Sequence, residues 1–280
     1  MRTESDSSPI LFNRRWPARG LEGAIASVDP DTLCAEYNAL RESAPRRAQS
    51  GKSYFVGHTG IASGAGASNR LEEHSAIALV NLGRRWPRPD GEWFRFLDYQ
   101  VPLKARQADT GIGKIDLLGI TEAGRLVVVE LKVEGECGGR SDAPPAALME
   151  GLRYAAMIEA DLEAVAVEAE RRFGVKLAQL PPIVQLLAPK AWWRRWLELP
   201  AAGAWGPPFT ELAAAIAAKI GAPVECMALD DVEVIYGLDG QAPRLDPIPN
   251  IHAVCLTGTS PPLATLCLSH PRMAARNPVT

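Results

Sequence analysis

Asp116, Glu130 and Lys132 are two acids and a base that would gather at one end of one face if residues 114–132 form a hairpin. The segment is rich in Val, Ile and Leu on both sides of Glu122-Ala123-Gly124, the pattern of strand, turn and strand. A three-residue loop of this kind wants a left-handed residue at its third position, which Gly124 adopts without steric cost. With Thr121 and Arg125 closing the loop, antiparallel counting sets Asp116 opposite Glu130, Leu118 opposite Val128 and Ile120 opposite Leu126. Side chains of directly opposed residues stand about 5 Å apart. Lys132 follows Glu130 by two residues and so shares its face. Two carboxylates this close repel each other unless a cation lies between them. A divalent metal ion does this well, and the lysine adds a fixed positive charge.

The neighbours decide between chemistry and a solvated strand end. Leu118, Ile120, Leu126 and Val128 continue the face that carries the charges, while Ile115, Leu117, Val127, Val129 and Leu131 take the other. With both faces apolar, the hairpin belongs inside a sheet, where acids are seldom placed for solubility. Clustered buried ionisable groups are candidate sites.

The elements around the hairpin must hold it. Asp29-Pro30 predicts a helix start, with Leu33, Tyr37 and Leu40 on one stripe to about Ser43. A short strand is expected at residues 53–57, and a helix capped by Asn69 runs to about Leu82. A strand over 93–103 and the hairpin follow, then a helix from Ala146 to about Ala160 that extends or restarts through Glu170. Strands at 183–188 and 224–229 enclose a helix to Leu197 and a helix capped by Thr210, and 232–238 is a candidate further strand. This order predicts an α/β fold, a mixed central sheet flanked by helices. Residues 1–65 read as an arm with a helical extension, 66–248 as the main domain and 249–280 as a poorly structured tail.

At 280 residues and 47% hydrophobic, the chain can bury a sizeable core. No apolar stretch approaches the roughly 20 residues of a membrane helix, and the polar, arginine-bearing N-terminus has no apolar signal core. A cytoplasmic protein without membrane partners is expected. Five scattered cysteines argue against a disulfide framework, and no Cys or His pair has zinc-ligand spacing. A net charge of −3 is not that of a basic nucleic-acid binder, although residues 1–115 carry a mild basic excess. Gly111-Ile112-Gly113-Lys114 lacks the other residues of a phosphate loop and precedes a strand. Trp192, Trp193 and Trp196 have helical spacing, which favours packing over base stacking, and neither His58 nor His74 has a catalytic partner nearby in sequence.

Asp116, Glu130-Leu131-Lys132, the helix with Glu72 and Glu73, and Glu150 four residues before Tyr154 together resemble the PD-(D/E)XK nuclease superfamily. The likeness covers residues 70–230. Ile115 replaces the proline of the family name, and Glu150 stands where many relatives have glutamine. The resemblance implies a restriction-endonuclease-like core and a metal-dependent endonuclease that hydrolyses phosphodiester bonds, with DNA as the first choice of substrate and Mg²⁺ or Mn²⁺ as cofactor. It implies that Asp116 and Glu130 hold the ion, with the carbonyl of Leu131 as third ligand, and that Lys132 assists the attacking water. One helix acid would join them; Glu73 shares a stripe with Ile77 and Val80, Glu72 with Ala76 and Leu79, and the reading leans to Glu73. Lys114, Glu150, Arg153 and Tyr154 are candidate substrate-binding residues. Surface or core roles serve equally for Lys114 and Tyr154, and a surface role is favoured for Arg153. Cutting both strands would favour a homodimer. The alternative is a nucleic-acid-binding module on the same fold without cleavage.

Overall fold

The computed structural model describes residues 9–61, 71–133, 142–237 and 240–256. The expected Asn69 cap and the chain beyond residue 256 lie outside these. Helices α1 (Ile10–Asn13), α2 (Leu21–Ala26), α3 (Pro30–Ser43) and α4 (Leu71–Asn81) precede the strands β1 (Trp86–Pro87), β2 (Trp93–Pro102), β3 (Lys114–Thr121) and β4 (Leu126–Leu131). These four strands pair antiparallel in succession. Helices α5 (Pro144–Glu159) and α6 (Leu162–Phe173) lead to β5 (Ile183–Pro189), parallel to β4. Helices α7 (Lys190–Leu197) and α8 (Gly206–Ile220) lead to β6 (Val224–Leu229), parallel to β5. A separate hairpin, β7 (Glu233–Ile235) and β8 (Arg244–Asp246), comes before β9 (Ile251–Ala253), which pairs antiparallel with β6.

The result is a mixed α/β protein whose seven-stranded sheet, β1-β2-β3-β4-β5-β6-β9, curls nearly into a barrel with helices packed against it. Arg88, just past β1, donates to Glu225 of β6 at 2.8 Å, and Gln185 of β5 donates to the same carboxylate at 3.0 Å. These bonds fasten the curl near its seam. Inside it, Ala76, Ile77 and Leu79 of α4 pack with Leu117, Val127, Val129 and Leu187. The outer face packs Leu118, Leu126, Val128 and Val184 beneath α5 and the other helices.

The hairpin turn forms as expected. Gly124 has φ +82°, Thr121 N donates to Arg125 O at 2.9 Å, and Leu118–Val128 and Ile120–Leu126 are Cα partners. One expectation fails. Ile115 does not share a layer with Leu117: it packs with Val101 on the helix side, whereas Leu117 and Tyr99 face α4. Gln100 explains the change. It lies between Tyr99 and Val101, across from Asp116, and has φ +47°, a left-handed conformation that breaks the alternation of a strand.

Most other differences share one cause, a partner distant in sequence. The N-terminal segment holds α1 and α2 because Glu36 of α3 accepts from the amides of Ile10 and Leu11, both at 2.9 Å, while Leu11, Leu21 and Ile25 enter the main core. Residues 53–57 form no strand; the amides of Tyr54 and Phe55 donate to Glu168 of α6. Thr210 lies within α8, its hydroxyl bonded back to Gly206 O, and the helix starts with a proline in its first turn instead. Residues 251–253, expected in the loose tail, complete the sheet.

Gly151 sets the depth of α5 on the sheet. A Cβ there would stand 2.7 Å from a Val184 methyl and 3.9 Å from Glu130 Cβ. Gly151→Val is therefore expected to lift the helix, cost about 1–3 kcal/mol and displace Glu150. A thermal unfolding midpoint equal to that of the parent would contradict this.

Candidate active site

The charged cluster lies where the rim of the sheet meets two helices. Lys132 N donates to Leu187 O of β5 at 2.8 Å, so by alternation the preceding amide turns toward β3. There Leu131 N donates to Asp116 Oδ2 at 3.1 Å, and Gln100 Nε2 reaches Asp116 Oδ1 at 3.3 Å. The twist at Gln100 thus puts the Asp116 carboxylate against the end of β4. Glu130, on the layer beneath α5, is 2% exposed. Its Oε1 accepts from Lys132 Nζ at 2.6 Å, while no hydrogen-bond partner among the described residues reaches its buried Oε2.

Helix α5 supplies the outer wall. Glu150 Oε2 stands 3.4 Å from Lys132 Nζ, and Tyr154 donates to Glu150 Oε1 at 2.9 Å. The amphipathic spacing of α5 keeps Tyr154 buried, and Gly113 leaves room for its hydroxyl, which a Cβ there would strike. From the inner layer, the first turn of α4 supplies Glu72, whose charge acts on Asp116 and Lys132, whereas the charge of Glu73 is felt at Tyr99. The lean toward Glu73 is therefore corrected. The charge of Glu72 reaches the cluster, a difference that an all-round apolar helix could not reveal.

These acids raise one another. Burial, then the Glu72 charge, pushes Asp116 up to about 7. Burial, then Asp116, pushes Glu130 well above the usual carboxylate range, and burial raises Glu72. For Glu150 burial also acts upward, but the adjoining Glu130 carboxyl, the charge of Lys132 and the bond from Tyr154 outweigh it and the group is lowered. Burial disfavours the Lys132 ammonium, yet Glu130 and Glu150 more than offset it, so the lysine stays firmly charged. The cluster holds more carboxylate than Lys132 can neutralise.

No protein-family description matches this chain, and neither does any curated protein or solved structure.

The remaining candidates are less central. Lys114 is exposed at the start of β3. Arg153 is held by Glu150 at 3.7 Å and by the Phe12 ring at 5.4 Å, which leaves it little freedom to clamp a ligand. Two contributors among the described residues were not visible in the sequence. Gln100 had no sequence signal except its place opposite Asp116. Asp142, 3.6 Å from Lys132, is far from it along the chain. Away from the cluster, His58, with no catalytic partner nearby in sequence, meets the buried Asp98 at 2.8 Å and stacks on Tyr99. Trp192, Trp193 and Trp196 are packed in the core, as their spacing implies.

A cavity of about 420 Å³ adjoins Lys132 at the C-terminal ends of β4, β5 and β6, between Leu71, Leu131, Leu229 and Tyr236. This is the side on which parallel strands present ligands. Among the described residues, no three His, Cys, Asp or Glu side chains converge as a ready-made metal cage. Asp116 and Glu130 nevertheless offer hard oxygen donors, and the unpartnered Glu130 Oε2 suits a cation. No helix among the described residues is long and apolar enough to cross a membrane.

Proposed function

We propose that this chain is a metal-dependent nuclease of the PD-(D/E)XK type, with a restriction-endonuclease-like core, that hydrolyses phosphodiester bonds in DNA. The observation that carries this reading is Glu130. It is a fully buried carboxylate with one bare oxygen, set beside Asp116 and touched by a lysine at 2.6 Å. Asp116, Glu130 and, by resemblance, the Leu131 carbonyl would hold Mg²⁺ or Mn²⁺. Bound there, such an ion would acidify a water molecule and polarise the phosphate. Lys132 would orient that water and offset charge developing on the phosphate oxygens, an electrostatic role that a water-poor rim strengthens. Glu150, fixed by Tyr154, keeps the ammonium over the site. Glu72 would complete the acidic wall from α4.

A purely structural ion cluster is the rival reading, and the contacts of Lys132 with Glu130, Glu150 and Asp142 favour it. Balance speaks against it. A stabilising cluster matches its charges, because a buried uncompensated carboxylate is destabilising. Among the described residues, Glu72, Asp116, Glu130 and Glu150 surround Lys132, and Arg153 stands beside Glu150.

The test is incubation of the purified protein with plasmid DNA, single-stranded DNA and RNA, with and without Mg²⁺ or Mn²⁺. Metal-dependent cutting that chelator abolishes is expected. Folded protein that cuts none of these overturns the nuclease reading, and tight metal-independent binding without cutting would make the chain a binding module.

A further inference from the structure

A second cavity, about 840 Å³, opens between residues 14–19, the lead into α5 and the end of α7. Arg14, Arg15, Arg19 and Arg195 line it, and among the described residues Asp142 is its one lining carboxylate. Four guanidinium groups crowded into one cleft of a chain with net charge −3 are not a random solvated face.

The cleft is built before anything enters it. Gly20 N donates to Ala201 O at 2.8 Å, which ties the arginine segment to the turn after α7. Arg14 donates to Ala24 O at 2.6 Å and Ser27 Oγ at 2.5 Å and lies 5.0 Å over the Trp16 ring. Those partners fix the guanidinium without cancelling its charge. Among the described residues, no carboxylate lies within ion-pair distance of Arg14, Arg15 or Arg19. Asp142 lines the cleft and also stands 3.6 Å from Lys132, so the cleft runs up to the charged cluster.

We infer that this arginine cleft takes the sugar-phosphate backbone of the nucleic acid beyond the position that is cut. The inference rests on the reading of the site as a phosphodiester site, since continuity with Lys132 is what makes the anion in the cleft part of the same strand. Arginine suits this role because its planar fork bonds two phosphate oxygens at once. Such contacts set position and affinity, not sequence.

The test is metal-free binding of fluorescent duplex DNA, single-stranded DNA and single-stranded RNA, followed by anisotropy over a salt series with the full chain. The variant is Arg15→Glu with Arg19→Glu, both exposed and so compatible with folding; Arg15→Gln with Arg19→Gln is a milder second. Arg171→Glu, on the exposed last turn of α6, is the control. The charge-reversing pair is expected to weaken binding at least about tenfold and flatten the log–log salt slope by about 2, near one unit per lost phosphate contact. The glutamine pair should do less and the control nothing. Equal affinity and slope for parent and both pairs overturns the cleft, as does a parent that binds none of the three oligonucleotides. The two readings fail separately. Cleft-dependent binding without cleavage sinks the nuclease alone, and cleavage with cleft-independent binding sinks the cleft alone.

Discussion

Lys132→Ala should lower single-turnover DNA cleavage by about 10²- to 10³-fold, the usual loss when one preorganised electrostatic stabiliser is removed. The lysine is close to both Glu130 and Glu150 and stays charged, and among the described residues no other cation lies within ion-pair distance of Glu130. Asp116→Ala and Glu130→Ala should lose at least as much, because each removes a hard oxygen donor that a two-carboxylate site cannot replace. The helix acids supply the discriminating control. Glu72→Ala should slow cleavage clearly, whereas Glu73→Ala and Lys114→Ala should remain within a few-fold of the parent, since Glu73 acts on Tyr99 and Lys114 is exposed at a strand start. Rates measured on plasmid with saturating Mn²⁺, with circular dichroism to confirm folding, check this. Parent-like cutting by Lys132→Ala would remove the cluster from the chemistry.

Glu130→Gln should make the metal-free protein more stable above neutral pH, although it destroys activity. Asp116, Glu130 and Glu72 all have folded-state pKa values raised by burial and by one another. Below about pH 4 these groups bind protons in folded and unfolded chains alike, so their contribution to stability is fully present. As pH rises, the unfolded chain releases its protons first, and stability falls through the folded values, about 7 for Asp116 and well above the ordinary carboxylate range for Glu130. A neutral amide at position 130 removes the worst of this repulsion. A gain of about 1–3 kcal/mol at pH 8 is expected, because each unit by which the folded state raises a carboxyl pKa costs about 1.4 kcal/mol once the unfolded chain is ionised, while Glu150 and Asp142 keep Lys132 paired. That gain corresponds to a rise of about 2–8 °C in the unfolding midpoint, with little change at pH 4. Mg²⁺ should stabilise the parent and have little effect on the variant. Scanning calorimetry at pH 4 and pH 8, with and without metal, decides it; a variant destabilised equally at both pH values would contradict the charge argument.

The hairpin was legible in the sequence because its signals are local. Gly124 specifies the turn, and period-two apolar runs specify a register that cannot slip by one residue without exposing a whole face. Helix α3 was legible for the same reason, since Asp29 and Pro30 make its N-terminus within four residues. The N-terminal helices, β9 and the lack of a strand at 53–57 were not legible. Each depends on a partner far along the chain: Glu36 for α1, β6 for β9 and Glu168 for Tyr54.

The candidate site divides the same way. The sequence by itself determined that Asp116, Glu130 and Lys132 come together, because strand pairing converts a count of residues into a distance. It also put Glu150 and Tyr154 on one face of the next helix. Only the tertiary structure decided that the charge of Glu72 reaches Asp116 and Lys132, since that depends on how α4 is rotated against the inside of the sheet. Tertiary packing alone bent β2 at Gln100 so that Asp116 meets the amide of Leu131. It also brought Asp142 both to the side of Lys132 and into the cleft lined by the arginines of residues 14–19. Local sequence carries periodicity and turn chemistry. Rotation, curl and long-range approach come from packing one element on another, which no stretch of the chain encodes alone.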